Sequence, residues 1–125
     1  MVRTVLSVVA GIVAWVVIAT AINYAMRHAW PEYAAVEKAM NFTLPMMLAR
    51  LAESTIALVA AAIVTARIAP ASPYAPWALG LVMLLCFLPV HYSIWDKFPI
   101  WYHAYFLSSL VLVSGIVGRL AQQKN

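Results

Sequence analysis

The chain has 125 residues, 66% of them hydrophobic and 10% charged, with a formal charge of +4. The length implies one domain, and a charged share far below the roughly 25% of an ordinary soluble domain excludes a soluble fold, because only lipid or a large partner could cover so much apolar surface. The eight Lys and Arg are scattered among apolar runs, which excludes a nucleic-acid partner, and the single cysteine, Cys86, has no mate for a disulfide or a CxxC site.

A membrane-spanning helix needs about 20 apolar residues, and four runs qualify. The first, Val2 to about Ala25, carries only Arg3 as a charge. "ATA" at 19–21 resembles a signal-peptidase site, but the run is read as an uncleaved first span. Pro31 and Pro45 then flank "EYAAVEKAMNFTL", which predicts a short helix lying at the surface. The second run, about Leu44 to Ala69, contains Arg50, Glu53 and Arg67. Pro70, Pro73 and Pro76 interrupt the chain before the third run, about Ala75 to Tyr92, and Pro76 suits a first helical turn. Pro89 removes one backbone hydrogen bond from that helix and predicts a bend near its end. The fourth run, about Pro99 to Leu120, is uncharged until Arg119. The expected fold is all-α: an integral membrane four-helix bundle of antiparallel up-down topology, with a short surface helix between the first two spans.

Small residues let helices approach closely in lipid. Ser7, Gly11, Ala14, Ala21 and Ala25 form one such stripe, Ala57, Ala60 and Ala61 a second, and Ala104, Ser108, Gly115 and Gly118 a third. The third span, apolar nearly all round, is expected to face lipid most. Four spans put both termini on one side, with Arg3, Arg67, Arg119 and Lys124. The other side carries Arg27, Lys38 and Lys97, with Arg50 if it leaves the membrane. Under the positive-inside rule this favours cytoplasmic termini in a bacterial inner membrane.

Four helices each bring a polar group to a similar depth near the outer face: Asn23, Arg50 with Glu53, His91 and His103. The surrounding His28, Trp30, Tyr33, Trp95, Phe98, Trp101 and Tyr102 read first as an interfacial aromatic belt. Arg50 and Glu53, three apart, are expected to pair. His91 and His103 are expected to approach each other, because the short "SIWDKFP" link makes their helices neighbours. With Glu53 they would make a two-histidine, one-carboxylate set suited to a transition metal such as iron or zinc. Bis-histidine haem ligation is a further alternative, and so is copper through Met26, Met40, Met46 and Met47. No cofactor is firmly implied, and no GxSxG, HExxH or phosphate-loop motif occurs.

In size the chain resembles the small multidrug-resistance transporters, four-helix proteins with a membrane glutamate. Their glutamate lies in the middle of the first helix, however, whereas here that helix has none and Glu53 is off-centre in the second, so their function is not carried over. Two readings follow. The preferred one is a non-enzymatic accessory or partner-binding membrane subunit, as a homo-oligomer or in a larger complex. The alternative is a metal- or small-ligand-binding protein of redox or transport type, using Glu53, His91 and His103.

Overall fold

The computed structural model describes residues 1–124, is 85% helical and contains no strand among them. Its helices are α1 (Val2–Ala29), α2 (Pro31–Glu37), α3 (Leu44–Ile68), α4 (Ala75–Ser93) and α5 (Ile100–Gln123), with a single 3-10 turn at Trp95–Lys97. Proline occupies the first turn of α2, α3 and α4, where its missing N–H costs nothing. α4 continues through Pro89 to Ser93. The four long helices are each long and apolar enough to cross a membrane, which makes this a multi-pass membrane protein. Their bounds lie close to the expected ones, except that α1 runs a full turn further, to Ala29, and α5 three residues further, to Gln123.

The helices form an all-α four-helix bundle. α1 packs chiefly on α3, α3 on α5, and α5 on α4. The core is Leu51, Leu58, Ala61, Leu79, Met83, Phe98, Tyr102, Phe106 and Leu110. On α3, Ala57, Ala61, Ala62 and Ala66 are fully buried and let α1 come close. There Thr65 Oγ1 donates to the Ser7 carbonyl at 2.9 Å, and a side chain at Gly11 would collide with Thr65.

Two expectations about packing are corrected. The stripes drawn from small residues were half right, because burial follows i, i+4 rows that include large residues. On α1 the row is Ser7, Gly11, Trp15, Ala19 and Asn23, whereas Ala21 and Ala25 are exposed. On α5 it is Tyr102, Phe106, Leu110, Ser114, Gly118 and Gln122, whereas Ala104 and Ser108 are exposed. The helix most open to lipid is α1, not the third span: 11% of its most apolar stretch is buried, against 33% in each of the others. The third span is instead seated directly on the α5 backbone, where Gly80 meets Leu110 and Val111.

The ends of the bundle differ. At one end the termini meet the α3–α4 connection. Arg3 donates through Nε to the Ile68 carbonyl, and Gln122 Nε2 donates to the carbonyls of Ala69 and Ser72 at 2.8 and 2.7 Å, covering acceptors that α3 leaves open. At the other end α2 folds back over the bundle. The chain turns after α2 at Met40, whose φ of 55° is left-handed, a conformation that costs a non-glycine residue about 1–2 kcal/mol.

Candidate functional site

At the α2 end, α1, α3, α4 and α5 line a half-open cavity of about 270 Å³. The i, i+4 row of α1 supplies Trp15, Ala19 and Asn23, and α3 supplies Arg50, Glu53 and Ser54. Phe87, Val90 and His91 share one face of α4, Ile94 follows just past its end, Tyr102 and Phe106 come from α5, and Met40 lines the cavity from the turn after α2. Of the five polar candidates from the sequence, Asn23, Arg50, Glu53 and His91 face this space, and His103 stands behind His91.

Arg50 and Glu53 do not pair; the ion pair among the described residues is Arg27 with Glu37. Arg50 instead extends toward the helix end into an aromatic box. Its Nη1 donates to Tyr33 Oη at 2.7 Å and its Nε to Tyr102 Oη at 3.3 Å, and its guanidinium carbon lies 4.7 Å from the centre of the Phe42 ring. A long side chain at this depth gains more from phenolic oxygens and ring faces nearer the interface than from a carboxylate one turn deeper. Tyr33 also donates to Asn23 Oδ1 at 2.9 Å, and burial raises its phenol above the ordinary tyrosine value, against the pull of Arg50. The Asn23 amide donates to Glu37, which Arg27 also clasps, so α2 is tied to α1.

That arrangement leaves Glu53 alone. The residue is 9% exposed and lines the cavity, and its carboxylate has no hydrogen-bond partner among the described residues. Beside it, Ser54 Oγ and Trp15 Nε1 are also buried without partners. Native proteins satisfy nearly all buried polar atoms, so two such groups beside a carboxylate that opens onto the same cavity call for an explanation.

The histidines do converge. His91 Nδ1 lies 2.6 Å from His103 Nδ1, and the two side chains are 3% and 1% exposed. His103 Nε2 lies 3.0 Å from the Trp95 carbonyl, which can only accept, so the hydrogen of a neutral His103 is on Nε2. Its Nδ1 is then the acceptor, and His91 must donate from Nδ1. This leaves His91 Nε2 with a free lone pair and no partner among the described residues, on a side chain that lines the cavity.

The expected metal triad is not assembled. No three His, Cys, Asp or Glu side chains among the described residues are gathered to hold an ion. The reason is local: both nitrogens of His103 are engaged, and two imidazoles sharing a tetrahedral metal would hold their nitrogens about 3.3 Å apart, not 2.6 Å. Haem iron between them is excluded by the same closeness. A second, larger recess of about 540 Å³ is lined by Leu85, Leu88, Pro89, Tyr92, Trp95 and Leu107 together with His91; it is an apolar groove on the flank of α4 and α5.

Trp15, Ser54 and Glu37 were not singled out from the sequence, and Tyr33 was read only as part of the aromatic belt. Tracing the Asn23 face back by fours would have found Trp15, and Ser54 follows from Arg50 by the same step. Neither a protein-family model, nor a curated protein, nor a solved structure matches this chain.

Proposed function

We propose that this membrane protein binds a small ligand in the cavity at its α2 end. The observation that carries the reading is the combination of Glu53, His91 Nε2 and Ser54 Oγ, all without partners, around a space of about 270 Å³. Unpaired ionisable groups inside a bundle are costly and usually mark a pathway or a ligand. The size sits at the lower edge of the roughly 300–1,000 Å³ of small-molecule sites, which suits a compact solute or one headgroup. The other reading, an accessory subunit of a larger complex or a homo-oligomer, draws on the apolar face of α1, where Val5, Val9, Val13 and Val16 are exposed. Lipid covers such a face equally well, so the cavity is the stronger ground.

The proposed setting is a bacterial inner membrane with both termini cytoplasmic and the cavity toward the outer leaflet. With Arg50 drawn into the bundle, Arg3, Arg67, Arg119 and Lys124 at the termini outnumber Arg27, Lys38 and Lys97 at the other end. Reporter fusions at Gln122 and Asp96 should lie on opposite sides, and a periplasmic signal at Gln122 would overturn the orientation.

Native mass spectrometry of protein extracted in mild detergent tests the cavity. The wild type should carry a bound small mass, and Ala19→Trp, which fills the cavity from α1, should lose it while keeping its helical spectrum. A wild type without any adduct, or an Ala19→Trp variant with the same adduct, would refute the reading.

A further inference from the structure

The cavity holds two opposite charges that decline to meet. Arg50 and Glu53 lie three residues apart on α3, close enough that their Cβ atoms sit about 5–6 Å from one another, yet no ion pair joins them. Arg50 keeps donor capacity, since Nη2 has no partner among the described residues and the bond from Nε to Tyr102 is long at 3.3 Å. Glu53 keeps all of its acceptor capacity. From this geometry we infer that the ligand is a zwitterion with a primary ammonium a few atoms from an anionic group, the anion on Arg50 and the ammonium on Glu53 and His91. The inference rests on the ligand-binding reading above and names the chemical class of that ligand.

Each part of the match has a physical ground. A primary ammonium has three N–H donors. The cavity offers it the two Glu53 oxygens and the His91 Nε2 lone pair that the Trp95–His103–His91 chain of hydrogen bonds leaves free. A quaternary ammonium has no donors and would leave those acceptors unsatisfied. Trp15, Phe87 and Phe106 line the same space, and aromatic rings can favour a cation. A purely anionic ligand would engage Arg50 and leave Glu53 without a partner, and a purely cationic one would leave the spare donor capacity of Arg50 unused. A zwitterion satisfies both and enters without net charge. Two sources share this chemistry: the headgroup of an ethanolamine phospholipid, with an acyl chain in the apolar groove that shares His91 as a wall, and a free zwitterionic solute.

The test uses the full chain in detergent, titrated with phosphoethanolamine, phosphocholine, ethanolamine and inorganic phosphate, with binding read by calorimetry. Phosphoethanolamine should bind at least about tenfold more tightly than each of the others, the factor expected for one charge-assisted hydrogen bond. This ranking needs no variant and so cannot be confused with misfolding. Glu53→Gln should abolish the preference over phosphate, and Arg50→Lys should weaken the preference over ethanolamine. In nanodiscs, retention of phosphatidylethanolamine over phosphatidylcholine identifies the lipid as the source, and its absence with intact phosphoethanolamine binding identifies a free solute. Equal binding of ethanolamine or phosphocholine, or an undiminished preference in Glu53→Gln, overturns the inference. If no probe binds while the native adduct persists and disappears in Ala19→Trp, the zwitterion falls and the cavity reading stands; with no adduct either, both fall.

Discussion

His91 and His103 meet ring nitrogen to ring nitrogen, Nδ1 to Nδ1 at 2.6 Å, and the Trp95 carbonyl decides which of them donates. The neutral pair should therefore show opposite tautomers. Nitrogen NMR of histidine-labelled protein should find hydrogen on Nε2 of His103 and on Nδ1 of His91. The reverse assignment would remove the free lone pair from the cavity. Because each ring is the other's partner, His91→Phe and His103→Phe should be non-additive in stability, with a coupling of about 0.5–3 kcal/mol.

Arg50 is held by two tyrosine hydroxyls and by ring faces, and Glu53 has no hydrogen-bond or ion-pair partner among the described residues. In ligand-free detergent, Arg50→Ala should cost about 1.5–3 kcal/mol, the range for hydrogen bonds to a charged group. Glu53→Gln should be neutral or stabilising. A Glu53→Gln loss as large as that of Arg50→Ala, in thermal melts of both proteins, would restore the direct pair that the geometry denies.

Gly80 carries the α4–α5 contact. A Cβ there would lie 2.5 Å from the Leu110 carbonyl oxygen and 2.7 Å from Val111 Cα, both backbone atoms that cannot swing away. Gly80→Ala should destabilise by about 1–3 kcal/mol through overpacking. Ala104→Val on the exposed face of α5 should change little. Equal melting temperatures for Gly80→Ala and the wild type would show that the two helices can separate freely.

Glu37 makes the α2 end sensitive to acid. The hydrogen bond from Arg27 holds its carboxyl below the ordinary glutamate value, with the Asn23 amide and the Arg27 charge adding to it against a smaller effect of burial. A carboxyl depressed in the folded state contributes stability that is present above its unfolded value and is lost as pH falls through the folded one. Melting temperature should therefore fall as pH drops below the ordinary glutamate range, and more steeply in the wild type than in Glu37→Gln. Parallel curves for the two proteins would mean that the clasp between α1 and α2 does not bear on stability.

The spans and their order could be read directly from the chain. A run of about 20 apolar residues has one stable course in a bilayer, a helix that satisfies its own backbone, and the prolines at 31, 45 and 76 mark where helices begin. Depth was legible for the same reason, since position along a spanning helix is nearly position along the membrane normal. That is why the meeting of His91 and His103 followed from a short link between neighbouring helices. What depth does not contain is rotation and reach. Which face of α1 turns inward was decided by Gly11 fitting against Thr65, and how closely α4 lies on α5 was decided by Gly80 meeting Leu110 and Val111. Arg50 could have paired with Glu53 by spacing alone; only the assembled bundle put Tyr33, from a helix that folds back, and Tyr102, from the last one, within its reach. Those partners are far apart in the chain, so no local pattern encodes them, and it is their capture of Arg50 that leaves Glu53 facing an open cavity.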